Sequence, residues 1–147
     1  MSKRPCGRGS LVRTFGVIAV AILAITGCGR DFRALGTHTA QVSINGRDIG
    51  EQPRVSCDQI QWVWHIRTVQ DSPGFTAQIR TGDSIEPRAV QIEGLGGFTG
   101  SFWDVTVGSA EAAVDDGTFI VTGVAEGYYE QSPTDRSTAN FEIRTDC

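Results

Sequence analysis

Residues 75–80 read Phe75-Thr76-Ala77-Gln78-Ile79-Arg80, and this alternation decides the fold. Successive side chains of an extended chain point to opposite faces, so Phe75, Ala77 and Ile79 fall on one side and Thr76, Gln78 and Arg80 on the other. A period of two is the signature of a half-buried strand. The same rhythm extends outward in both directions. Upstream it places Val42 with Ile44 and Val55 with Cys57. Downstream it places Val90 with Ile92, Trp103 with Val105 and Val107, and Phe141 with Ile143. Turn signals separate the runs. Asn45-Gly46 and Asp116-Gly117 favour two-residue hairpins. Ser72-Pro73-Gly74, Gly82-Asp83 and Gly94-Leu95-Gly96-Gly97 supply further breaks. No helical stripe of useful length appears, and the best helix candidate, Ala110 to Ala113, is one turn at most. The chain therefore reads as a single all-β domain over 41–147, an antiparallel sandwich or partly open barrel.

Two places depart from simple alternation. Beyond Asp58-Gln59 the apolar parity moves to even numbers, with Ile60, Trp62, Trp64 and Ile66, which calls for a bulge or tight turn. On that parity Trp62 and Trp64 are expected in the main core, while His65 and Arg67 face outward. The second departure is Thr118 to Ala125. Phe119 and Val121 lie on one face, Ile120 and Val124 on the other, as in a strand covered on both sides or one lining a ligand cavity. Phe98, Phe102 and Trp103 stand close together. If Trp103 points inward, Phe102 points outward, and Phe98 with Phe102 would form the rim of an apolar ligand site.

The N-terminus is an address. Lys3, Arg4, Arg8 and Arg13 precede the apolar run Phe15 to Ile25, followed at once by Ile25-Thr26-Gly27-Cys28. Eleven apolar residues are fewer than the roughly 20 that a membrane-spanning helix needs. A basic leader, a short apolar core and small residues before a cut describe a secretory signal peptide over 1–27. The cysteine resembles that of a bacterial lipobox, in which its nucleophilic sulfur takes up diacylglycerol. More than one acyl chain gives stable anchoring, so the mature protein is expected to be tethered to the extracytoplasmic side of the membrane through Cys28. Residues 28–40 then read as a short tether.

Charge excludes one large class of partner. The chain has 147 residues and a formal charge of −4. Beyond residue 27 it holds nine arginines, no lysine and all 17 acidic residues. Nucleic acid binding needs a concentrated basic face, so no nucleic acid is expected. Of four cysteines, Cys6 belongs to the leader and Cys28 to the lipid. Cys57 and Cys147 remain, an even pair in an exported protein, which favours a disulfide over two buried thiols.

No chemistry-bearing motif stands out. His65 has no visible nucleophile beside it. Cys57, Cys147, His38 and His65 lack the short paired spacing of a zinc site. Asp115-Asp116-Gly117 lacks the alternating ligands of a calcium loop. Gly94 to Gly100 lacks the third glycine and the following helix of a dinucleotide loop. Asp83, Glu86, Glu93 and Asp104 are carboxylates that a hydrolase would have to face across a cleft. No metal and no cofactor are expected.

Several stretches together resemble the mycobacterial 19-kDa lipoprotein antigen (LpqH-like) family. They are Ile25 to Cys28, Val42-Ser43-Ile44-Asn45-Gly46-Arg47-Asp48 leading to Val55-Ser56-Cys57, Asp116 to Ala125, and Phe141-Glu142-Ile143 ending in Cys147. The resemblance implies a cell-envelope lipoprotein with a Cys57–Cys147 disulfide, no established catalysis, and an acylated N-terminus sensed by host innate immune receptors. It also implies a long O-glycosylated Thr/Ser-rich tether, of which only Thr37 and Thr39 are present here. Three functional readings follow: a surface structural or interaction protein, a carrier of a lipid or other apolar ligand, and an envelope hydrolase.

Overall fold

The computed structural model describes residues 38–147. The expected signal peptide over 1–27, Cys28, Thr37 and most of the expected tether lie outside the described residues. Ten strands follow one another: β1 (His38–Ile44), β2 (Arg47–Asp48), β3 (Arg54–Ile60), β4 (Val63–Thr68), β5 (Gly74–Arg80), β6 (Glu86–Leu95), β7 (Phe98–Trp103), β8 (Ser109–Asp115), β9 (Thr118–Tyr129) and β10 (Ser132–Asp146). His38 and Thr39 are paired to Val55 and Arg54 of β3.

Every strand pair is antiparallel, in the order β10-β1-β3-β4-β5-β6-β7-β9-β8. β10 also pairs with β9, from Asp146 opposite Thr118 to Ser132 opposite Tyr129. The sheet therefore curls back on itself, which selects the barrel over the sandwich. β7 and β8 share one edge of β9. Phe98–Ser101 lie against Glu126–Tyr129, and Ser109–Asp115 against Thr118–Val124. They act as one strand interrupted between Trp103 and Gly108. β8 pairs with β9 alone, so the ring is left partly open beside it.

An eight-position ring is just wide enough for side chains to fill. The inward faces supply a continuous core of Val42, Ile44, Val55, Ile66, Phe75, Ile79, Val90, Ile92, Phe98, Phe102, Phe119, Val121, Phe141 and Ile143. This is the set of faces that the alternation marked on β1, β5, β6, β9 and β10. Both expected hairpins form. Asn45 and Gly46 adopt φ of 51° and 74°, Asp116 and Gly117 of 47° and 84°, the left-handed pair that a two-residue turn with the twist of its strands demands.

The parity change after Asp58 has a simple cause, though not at Asp58-Gln59 itself. β3 runs on to Ile60, and the chain reverses at Gln61-Trp62, with Gln61 at φ 56°. Gln59 stands opposite Trp64 and Cys57 opposite Ile66. Odd residues of β3 and even residues of β4 thus share the inner face. Ile60 and Trp62 are therefore not core residues: Ile60 is 62% exposed and Trp62 67%. Trp64 is half-buried and packs on Phe119, with ring centroids 5.2 Å apart.

The Phe98–Phe102 rim is corrected in the same way. β7 ends at Trp103, and what looks like continued alternation to Val107 is a turn. The Trp103 carbonyl accepts the amides of Thr106 and Val107, and Val107 returns its carbonyl to Trp103 N–H at 2.9 Å. Even residues of β7 consequently face inward. Phe98 is 0% and Phe102 3% exposed, while Trp103 is 41% exposed. Neither phenylalanine lines a surface site.

Candidate functional site

The end of the barrel where β1 begins gathers most of the features that sequence reasoning singled out. β3 runs antiparallel to β1 with Val55 opposite His38, so Cys57 and Ile60 extend past the first residue of β1. β10 arrives at the same end, with Thr145 opposite Ala40. A disulfide there links β3 to the residue that follows β10, the two strands that flank β1. Cys57 and Cys147 are bonded at 2.02 Å with Cα atoms 5.9 Å apart and 90 residues between them. Both are half-buried and pack against the core. The Thr145 hydroxyl donates to the Thr39 carbonyl at 3.1 Å and tightens the same seam. Thr39 thus lies in β1.

Three connections cap this end: the β3–β4 hairpin at Gln61-Trp62, the β5–β6 connection from Thr81 to Ile85, and the β8–β9 hairpin at Asp116-Gly117. The first two are bonded together. The Trp62 carbonyl accepts the Thr81 amide at 2.7 Å and the Thr81 hydroxyl at 3.3 Å. A cleft of about 610 Å³ lies between Trp62 and Arg80-Thr81-Gly82-Asp83-Ser84 and opens to solvent. The Glu86 carboxylate closes the base of the connection, taking a hydrogen bond from Ser84 Oγ at 2.7 Å and an ion pair from Arg80. The Ser84 hydroxyl first, and then Arg80, hold Glu86 below the usual glutamate range, and Glu86 raises Arg80 in turn. These groups are solvated, so the pair contributes little to stability. What it does contribute is present above the ordinary glutamate pKa and fades as pH falls through the lowered one.

Several other carboxylates have arginine partners. Asp104 pairs with Arg88 at 2.5 Å, Glu142 with Arg144 at 2.6 Å, and Asp58 lies 3.7 Å from Arg67. Asp48 is lowered by the Gln41 amide and the Gly50 N–H, which brace the β1–β2 hairpin. His65 sits on β4 between Asp58 and Gln78. Among the described residues no three His, Cys, Asp or Glu side chains gather as a metal would require. The outer face of β9 is only half-covered at Ile120 and Val124. Val124 lines a solvent-open cleft of about 450 Å³ with Ser43, Glu111 and Glu142.

Sequence reasoning missed the apolar side chains at the capped end. Ile60, Trp62, Ile85 and Val114 are all exposed there, the last two at 36% and 38%. The residues following Gln61 could have revealed a turn only through the left-handed φ of Gln61, which glutamine does not advertise.

The chain is similar to known proteins along most of its length. The family model described as Mycobacterium 19 kDa lipoprotein antigen matches residues 33–147. A Mycobacterium avium subsp. hominissuis (strain TH135) protein named "Putative lipoprotein" is 33% identical over 138 residues, covering 92% of this chain and 95% of its own. "Probable lipoprotein LppE" of Mycobacterium tuberculosis (strain ATCC 25618 / H37Rv) is 30% identical over 146 residues, covering 97% and 99%. With the matched stretch spanning the whole barrel and both bridged cysteines, the chain belongs to the Mycobacterium 19 kDa lipoprotein antigen family.

Proposed function

We propose that this chain is an exported lipoprotein that loses residues 1–27, takes acyl chains on Cys28 and holds its barrel on the outer side of the cell membrane. There it acts as a structural or interaction module without catalysis. The observation that carries this reading is the coincidence of family and motif: relatives named as lipoproteins along nearly their full length, and Ile25-Thr26-Gly27-Cys28 standing upstream of the matched domain. The acyl chains of a diacylglyceryl group on the Cys28 sulfur would give the membrane hold, at about 0.8 kcal/mol per buried methylene. The acylated N-terminus is also the group that host innate immune receptors would sense, in keeping with an antigen family.

The filled core supports an interaction module over an apolar-ligand carrier. Phe98 and Phe102, the residues on which a carrier reading rests, pack in the core. Glu86, Asp104 and Glu142 each pair with an arginine, which supports a non-catalytic role over a hydrolase.

The test is Cys28→Ala. The variant should accumulate as an unacylated protein and leave the detergent phase in a phase-separation assay, with the wild type retained there. A variant that enters the detergent phase as fully as the wild type contradicts the lipid anchor.

A further inference from the structure

We propose that Asp116-Gly117 is a modification site, where the backbone isomerises to isoaspartate, while the matching turn at Asn45-Gly46 is clamped against the same chemistry. The inference is independent of the Cys28 anchor. Asn-Gly and Asp-Gly share one weakness. The glycine amide nitrogen attacks Cγ of the residue before it, and a cyclic imide closes. The new bond is N–Cγ. From asparagine the Cγ–Nδ2 bond breaks, and ammonia leaves with the glycine amide proton. From aspartic acid a Cγ–O bond breaks, and water leaves. Water then opens the imide at either carbonyl, giving aspartate or isoaspartate. Glycine hinders the attack least, since it carries no side chain.

The two turns match in backbone and in surroundings. Asn45 and Gly46 hold φ of 51° and 74°, Asp116 and Gly117 of 47° and 84°. A Cβ added at Gly46 or at Gly117 would meet no atom within 4 Å, so packing shields neither turn. The difference lies in the side chain before each glycine. Asn45 follows Ile44, which stands opposite Phe141. Its amide donates to the Asn140 carbonyl at 2.8 Å, and its Oδ1 accepts the Asn140 N–H at 2.9 Å. The side chain thus adds a rung to the β1–β10 ladder. Its Nδ2 donates to the Tyr129 hydroxyl at 2.6 Å. Tyr129 is half-buried, with its ring 5.2 Å from that of Phe98, so the core fixes this acceptor. The carboxamide therefore uses both its donor and its acceptor end. Closing the imide turns Cγ onto the Gly46 nitrogen and gives up both bonds.

Asp116 has no such hold. Among the described residues its carboxylate makes no hydrogen bond and no ion pair, and the residue is exposed. Isoaspartate carries one more methylene in the main chain. At residue 116 it lengthens the turn beside Thr118, whose hydroxyl donates to Asp146 Oδ1 at 2.7 Å, next to the bridged Cys147. At residue 45 it would remove the added rung.

The experiment incubates the full-length protein at neutral pH and physiological temperature. Peptide mapping reads deamidation of Asn45 through the mass gained when the carboxamide becomes a carboxylate, and enzymatic methylation of isoaspartate locates the isomerised residues. In the folded wild type, methylation should accumulate at residue 116 and not at residue 45. In urea with reductant, where the clamp is gone, deamidation of Asn45 should speed up by up to about tenfold for each hydrogen bond lost. Tyr129→Phe keeps the ring on Phe98 and removes only the hydroxyl, so it should speed deamidation of Asn45 by up to about tenfold and leave residue 116 unchanged. Asp116→Asn places an unclamped Asn-Gly in the second turn, and it should deamidate faster there than at Asn45 of the same molecule. Equal rates at the two positions of Asp116→Asn overturn the clamp, as does a folded wild type that deamidates at Asn45 as fast as the protein in urea. A folded wild type that stays free of isoaspartate at residue 116, while the protein in urea acquires it there, overturns the modification site.

Discussion

Phe102 and Trp62 exchange the roles that their surroundings in the sequence suggest. Alternation counted from Trp103 puts Phe102 outside, and alternation counted from Ile66 puts Trp62 inside. Each count crosses a reversal of the chain, and a reversal resets which face a given parity means. The signals of these two reversals were weak. Gln61-Trp62 contains no glycine, asparagine or proline, and Val105 is β-branched in a turn. Within uninterrupted strands such as β5 and β10, parity was read without error, because nothing between Gly74 and Arg80 or between Asn140 and Thr145 breaks the pleat. The consequences for stability are opposite. Phe102→Ala removes a buried ring and should cost about 3–5 kcal/mol. Trp62→Ala removes an exposed one and should change stability by about 0.5 kcal/mol or less. Denaturant midpoints of the two variants of residues 38–147 measure this directly. A destabilised Trp62→Ala beside an intact Phe102→Ala would reverse the assignment.

The elements show the same limit at a larger size. β7 and β8 fill one position in the ring, yet the five residues between them leave the sheet. Val105 is the tip of that excursion. It is 95% exposed and holds φ 69°, a conformation that is a genuine outlier for a β-branched residue. Strain of this kind costs about 1–3 kcal/mol. Val105 has little packing to lose, so Val105→Gly should raise the unfolding free energy by up to about 1 kcal/mol once the freer unfolded chain is allowed for. A thermal melt that shows Val105→Gly less stable than the wild type would mean that the valine makes contacts its exposure does not suggest. The glycine-dense stretch before β7 was easier to read. Gly94, Gly96 and Gly97 all take positive φ where β6 turns into β7, with a register shift between Ile92 and Leu95, as expected of a bulged connection. No such bulge or glycine pair announces the exit at Trp103. Closure of the sheet was also beyond the sequence, since the pairing of β9 with β10 depends on long-range register rather than on any local pattern.

For the molecule as a whole, one covalent link closes the barrel and one proposed anchor would hold it to the membrane. The Cys57–Cys147 bridge spans 90 residues, and for a loop of that length the chain-entropy model gives about 4–5 kcal/mol. Reduction should therefore lower the denaturation midpoint of residues 38–147 substantially. Equal midpoints with and without reductant, the thiols being free, would contradict a stabilising bridge. The bridged cysteines were legible because an even pair beyond the leader is tied to residue type and number. The apolar cap at the barrel end was not, because it assembles from Ile60, Ile85 and Val114, which are far apart in the chain. The account turns on Cys28, and the most direct measurement is the intact mass of the protein isolated from the membranes of a mycobacterial host. It should correspond to a chain beginning at Cys28 with two or three acyl chains added. A mass equal to the unmodified 147-residue chain, or to a processed chain without lipid, would contradict the account.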